Sequence, residues 1–210
     1  MNTFPITITA FGCVPFHASD PLATGQTVET PGRWNPSEFP ALYTFLTPGL
    51  AAQWVDACTA SLGVSTTDIA PAFLPDMLVL NCSLSTVGDL TSACSLLEVG
   101  LPATYPDGYR TTAAYPNTQP IGAQLFTTGC EALLVRSATA PVWTDDDRSA
   151  TELVIFAEPA RCVGVIDRIP YSRWTTIDSW PRHYLLDQPT SASFRSDSGH
   201  STSSRDKEST

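Results

Sequence analysis

The stretch from Thr47 to Gly63 constrains the fold of this chain more than any other. Thr47-Pro48 is a helix start: a threonine hydroxyl caps free N–H groups, and proline suits the first helical position, where its missing N–H costs nothing. Leu50, Ala51, Trp54, Val55, Cys58 and Leu62 then recur at helical spacing, and Gly63 is a natural stop. The flanking runs read as strands. Ile6-Thr7-Ile8-Thr9 alternates apolar and polar residues, Ala41–Phe45 has a strand pattern, and Met77–Leu80 suits a buried strand. Val87–Leu97 reads as a second helix interrupted by Gly88, and Thr104–Asn117 as a turn-rich stretch. Thr118-Gln119-Pro120 repeats the cap-then-proline start, with Gly129 as its stop. Strands follow at Ala132–Val135, Glu152–Ala157 and Cys162–Ile166, with Asp145-Asp146-Asp147 in a solvated loop between two of them. Strands brought together over helices make an α+β domain.

At 210 residues the chain is long enough for one domain with a full core and a tail. Residues 1–186 read as the domain. Asp187–Thr210 is rich in Ser, Thr, Asp and Arg, with Phe194 its one large apolar residue, and cannot bury enough surface to offset its ordering entropy. That segment reads as a disordered tail. The net charge is −10, the only lysine is Lys207, and no basic cluster is present, which argues against nucleic acid and anionic membranes as partners. No run approaches the roughly 20 apolar residues of a membrane helix. Met1-Asn2-Thr3-Phe4-Pro5 lacks the basic start and apolar core of a secretion signal. The chain therefore reads as soluble and cytoplasmic.

Six cysteines, Cys13, Cys58, Cys82, Cys94, Cys130 and Cys162, show no C-x-x-C pair and no histidine at metal spacing, and they read as buried thiols. His17, His183 and His200 lie far apart, so no metal site is expected.

Three residues stand out as chemistry. Arg33, in Gly32-Arg33-Trp34-Asn35-Pro36, offers a planar fork of donors suited to phosphate, or else stacks on Trp34 at the surface. Tyr43, in Leu42-Tyr43-Thr44, is either a core residue or a ring for a nicotinamide or adenine to stack on. Ser137 ends the run Ala132–Arg136, where a hydroxyl either closes a turn or meets a ligand.

The order of these elements carries more than any one of them. Pro-Gly-Arg-Trp-Asn-Pro, Leu-Tyr-Thr, a helix, Thr-Gln-Pro-Ile-Gly, Ala-Leu-Leu-Val-Arg-Ser-Ala and Glu-Leu-Val-Ile-Phe, in that sequence, resemble the RES-domain family over roughly Phe11 to Ile166. The family is named for its arginine, glutamate and serine. The resemblance implies an ADP-ribosyltransferase-like core of packed β-sheets flanked by helices. It also implies an NAD+-destroying toxin of a bacterial toxin–antitoxin pair. NAD+ would be the substrate, no metal would be needed, an antitoxin protein would be the partner, and a homo-oligomer is left open. Arg33 would hold the pyrophosphate with Trp34 beside it, Tyr43 would pack on the nicotinamide end, and Ser137 would bind the nicotinamide ribose or its neighbouring phosphate.

The family's glutamate falls on the helix after the tyrosine strand, where this chain has Gln53. The family's upstream arginine has no counterpart in Phe11-Gly12-Cys13, although His17–Leu22 follows the family's pattern. Glutamine is neutral and cannot act as a base, but it can hydrogen-bond a ribose hydroxyl. Asp56, three residues on along the helix, and Glu38 in the loop are candidate substitutes. The alternative is a degenerate module that binds NAD+ or ADP-ribose without cleaving it.

Overall fold

Strand β3 (Asp76–Leu90) is the spine of the fold. The computed structural model describes residues 3–14, 22, 31–140, 148–156 and 158–174. Residues 17–21, the acidic run 145–147 and the tail 187–210 lie outside them. Strand β1 (Thr3–Val14) runs antiparallel along almost all of β3, from Thr3↔Gly88 to Val14↔Asp76. The register shifts between Phe4 and Ile6, where Pro5 has no N–H to give the ladder.

The far end of β1 meets β2 (Leu42–Phe45) at Phe11↔Phe45. Strand β2 pairs antiparallel with β5 (Thr151–Ile155), and β5 pairs antiparallel with β4 (Ala132–Arg136). Strand β4 lies parallel to Val87–Leu90 of β3, which closes a ring of five strands. Strand β6 (Val163–Ile169) pairs antiparallel with Met77–Cys82, the other half of β3.

Alternation along the strands divides the core. Ile6, Ile8, Ala10, Leu78, Leu80, Leu84, Leu134, Leu153 and Ile155 form one cluster drawn from the strands of the ring. Their neighbours point the other way. Phe11, Phe45, Met77 and Val79 pack beneath helix α1 (Pro48–Ser61). Leu133, Val135 and Val154 pack with Trp34, Phe39 and Tyr105. The second of these outer clusters floors the site.

Helix α1 forms as its sequence requires. Thr47 Oγ accepts the Leu50 N–H at 3.2 Å, Leu50, Ala51 and Val55 are buried, and Gly63 follows with φ 74°. Trp54 and Leu62 share the spacing but stay outside, at 36% and 79% exposure.

Two expected helices differ. Val87–Leu90 are the last residues of β3, because β1 and β4 flank them there and bury Val87 and Leu90. The helix after them is only α2 (Ala93–Glu98), capped by Ser92. Helix α3 (Tyr115–Thr127) starts a turn before Thr118, with a proline in its own first turn, so Pro120 lies inside it. Gly129, with φ 84°, ends it as expected. Short helices α4 (Pro159–Cys162) and α5 (Tyr171–Trp174) flank β6. The architecture is α+β, a sheet core flanked by helices. Among the described residues no helix is long and apolar enough to cross a membrane.

All six cysteines are unpaired. Cys82 and Cys130 are buried, Cys13, Cys58 and Cys162 half-buried, and Cys94 is exposed, so full burial holds for two of them. Burial pushes the thiols of Cys13 and Cys82 up to about 12, and it raises those of Cys58, Cys130 and Cys162 as well. Those five are packing residues, not activated thiolates. Among the described residues no group of three or more His, Cys, Asp or Glu is placed to hold a metal ion.

Candidate functional site

Helix α3 and strand β2 grip the Gly32–Asn35 loop from two sides. Thr118 Oγ donates to the Arg33 carbonyl at 2.5 Å, and Gln119 Nε2 donates to that of Gly32 at 2.9 Å. Gly122 lets the helix touch the loop's backbone, since a Cβ there would run into the Trp34 carbonyl. From the other side the Tyr43 hydroxyl accepts the Trp34 N–H at 2.8 Å and donates to Asn35 Oδ1 at 2.9 Å. Asn35 is fully buried, and its amide donates to Phe39 O at 3.1 Å. A side chain at Gly32 would collide with the Tyr43 hydroxyl and Asn35 Oδ1.

This grip assigns the expected residues distinct places. Trp34 is completely buried, edge-on to Tyr105 with ring centroids 5.8 Å apart, and supports the loop from beneath. Tyr43 spends its hydroxyl on the loop and offers only its half-buried ring. Burial pushes its phenol well above the ordinary range, and the nearby Glu152 adds to that. Arg33 is half-buried. It donates to the Tyr109 carbonyl and to that of Arg110 at 3.4 Å, and it lies over the Tyr115 ring with 5.7 Å from guanidinium to centroid.

Ser137 continues the β4–β5 ladder one step, its N–H donating to Ala150 O at 2.8 Å. It is fully buried. Its hydroxyl donates to Glu152 Oε1 at 2.5 Å and accepts the Thr139 N–H at 3.1 Å. In the sequence Glu152 stands at the start of a strand and of the Glu-Leu-Val-Ile-Phe element, with no chemical role expected of it. It sits on β5 between Phe45 and Val135, on the face of Val154, and is 6% exposed. Burial pushes its carboxyl above the ordinary range. The Ser137 hydroxyl, the Arg33 guanidinium and the Ala138 N–H oppose that rise in turn. The signal was present in Thr151-Glu152-Leu153-Val154-Ile155: an acid in an otherwise apolar run has no solvated face when every residue of the strand is buried.

Ser137 thus bonds a buried carboxylate directly, and Arg33 and Tyr43 lie within electrostatic reach of it. Two arginines lock the surrounding loops. Arg110 donates to Ala138 O and Ala140 O at 2.7 and 2.5 Å. Buried Arg136 donates to Thr91 O and Ala103 O, both at 2.7 Å, and to Tyr105 O at 3.0 Å. Tyr105 is fully buried within electrostatic reach of Arg33 and Glu152, and among the described residues its hydroxyl has no hydrogen-bond partner.

Gln53 is not drawn into this group by any described contact. It is exposed on α1, and among the described residues it has no hydrogen-bond partner. The helix does lie close by, since Leu50, Ala51 and Val55 share a cluster with Ala140 and Ala150. Asp56 is exposed and accepts from Thr66 Oγ at 2.8 Å, which ties it to the turn after the helix. Glu38 is exposed on the loop.

The family model of the RES domain matches residues 11–176. A solved structure, the crystal structure of the M. tuberculosis MbcT–MbcA toxin–antitoxin complex, contains a chain of similar fold. The TM-score is 0.66 at 18% identity, over 88% of this chain and 91% of that one. Among curated proteins none matches in sequence.

Proposed function

Since the chain belongs to the RES-domain family, we propose that it is an intracellular NAD+-consuming toxin that cleaves the nicotinamide–ribose bond. The observation that supports this is the Ser137–Glu152 hydrogen bond, with Arg33 and Tyr43, from two other parts of the chain, within electrostatic reach of the same carboxylate. Arg33 supplies a positive charge for the pyrophosphate, the Tyr43 ring faces the nicotinamide end, and Ser137 meets the nicotinamide ribose. Breaking the bond builds positive charge on the sugar, as in other glycoside cleavages, and nicotinamide departs neutral. Water, phosphate or a protein side chain accepts the ADP-ribosyl group. The partner is an antitoxin that covers the site. The fold shared with a toxin solved in complex with its antitoxin supports that assignment.

A second reading is a module that binds NAD+ without cleaving it, and the neutral, exposed Gln53 favours it. One experiment separates the two. Purified protein is incubated with NAD+, with and without phosphate, and nicotinamide release is followed beside ligand binding. Turnover is expected, and Arg33→Ala should lower it by about 10²-fold or more, the scale set by loss of one preorganised electrostatic group. Saturable binding with no nicotinamide at high protein concentration rejects the enzyme and leaves the module.

A further inference from the structure

Cleavage at a ribose carbon calls for negative charge near the sugar, and Gln53 has none. A carboxylate nevertheless stands inside the site. We propose that Glu152 provides it from strand β5, as a positioning residue that acts through Ser137 on a hydroxyl of the ligand's ribose; this rests on the NAD+-cleaving function proposed above.

Hydrogen-bond direction decides what Ser137 can meet. A hydroxyl has one proton to give and two lone pairs. The Ser137 proton goes to Glu152 Oε1 at 2.5 Å, and one lone pair takes the Thr139 N–H at 3.1 Å. Only a lone pair remains for a ligand. Ser137 therefore accepts, and the group it meets is a donor: a ribose hydroxyl, not a phosphate oxygen. The phosphates belong at Arg33, and the sugar at Ser137. The Tyr105 hydroxyl is a second, independent sign of a ligand here. It is fully buried, lies near Arg33 and Glu152, and has no partner among the described residues. An unpartnered buried hydroxyl is costly until a partner fills it.

In the reaction the bond between nicotinamide nitrogen and ribose C1′ breaks, and its electron pair leaves with nicotinamide. Positive charge spreads over C1′ and the ring oxygen, which makes the neighbouring ribose hydroxyl a stronger donor. Its hydrogen bond to Ser137 Oγ, kept electron-rich by Glu152, tightens in the transition state. Water adds to C1′ and releases one proton to solvent, giving ADP-ribose and nicotinamide.

The groups around Glu152 are Ser137, Arg33, Tyr43 and Tyr105. Of these only Glu152 is a carboxyl, and its affinity for protons is raised chiefly by burial. Glu152 must be ionised to act, so turnover should fall on the acid side of the pH profile.

The test compares wild type with Glu152→Gln, Glu152→Asp, Ser137→Ala and the Glu152→Gln/Ser137→Ala pair. Nicotinamide release and calorimetric binding of ADP-ribose and of ADP, which lacks the distal ribose, are both measured. Glu152→Gln should lower kcat by about 10²-fold with KM within a few-fold, and it should remove the acid limb. Glu152→Asp should restore part of the rate. The double variant should lose little beyond either single one, as expected of groups that act as a unit. A Glu152→Gln enzyme within a few-fold of wild-type kcat, or one that keeps its acid limb, overturns the assignment while the NAD+-cleaving function stands. If wild type releases no nicotinamide, that function fails and binding decides the rest. A preference for ADP-ribose over ADP that survives Ser137→Ala sinks the assignment, and one lost in Ser137→Ala sustains it. Absence of any ADP-ribose binding removes both.

Discussion

The Ser137 hydroxyl donates a hydrogen bond of 2.5 Å to Glu152 Oε1, diagonally over the end of the β4–β5 pair. A serine that closed only a turn would need no carboxylate, and a buried carboxylate of purely structural use would be better replaced by an apolar residue. Each makes sense through the other. The pair also sits within reach of Arg33, the residue whose backbone is fixed by α3.

Glu152 should cost the protein stability at neutral pH. Its folded carboxyl binds a proton more tightly than an unfolded one does. The stabilising contribution is therefore complete below the ordinary carboxyl value and is lost as pH rises through the raised one. Glu152→Gln should gain on wild type in melting temperature as pH rises, by about 2–4 °C for each kcal/mol relieved, and the gap should close as pH falls toward the ordinary carboxyl range. Thermal unfolding across that range checks it; a gap that widens on acidification contradicts it.

Tyr43→Phe should act first on the loop. It leaves the Trp34 N–H without its acceptor and takes one donor from Asn35. The expected loss is about 1–3 kcal/mol of stability, with a raised KM for NAD+ as Arg33 loosens. An unchanged melting temperature beside a collapsed kcat would mean that the hydroxyl serves the ligand instead.

Gly122→Ala should separate α3 from the loop, because the new methyl meets the Trp34 carbonyl, which cannot move as a flexible side chain does. Overpacking of this kind costs roughly 1–3 kcal/mol. Denaturant unfolding should show the loss, and a wild-type midpoint would show that the helix can shift freely.

Gln53→Glu should raise nicotinamide release modestly in the wild-type background, where Glu152 already places negative charge. In the Glu152→Gln background the same change should recover more, up to about 10²-fold. Initial rates of the four proteins decide this. Equal gains in both backgrounds would mean that the two positions act independently.

The helix at Thr47–Gly63 was fully legible, since cap, proline and stop are local signals that tertiary contacts did not disturb. The helix expected at Val87–Leu97 was not. Its first four residues are claimed by β1 and β4, partners distant in sequence. The Thr118-Gln119-Pro120 pattern suggested a helix start, yet Thr118 and Gln119 serve to bind the Arg33 loop from inside a helix. Arg33, Tyr43 and Ser137 are picked out by motif order, the serine string being the loosest, and the structure sets Ser137 against Glu152 with the other two in electrostatic reach. Glu152 could not be named as chemistry, because only the burial of both faces of β5 separates it from an ordinary solvated strand glutamate.

Closure of the ring joins Leu42 to Ile155 and Thr3 to Gly88, partners separated by large parts of the domain. Contacts so remote form late and slowly. A nascent chain on the ribosome holds Arg33 and Tyr43 early but has no Glu152 to gather them until strand β5 has emerged. No partial chain that lacks β5 therefore holds the complete group.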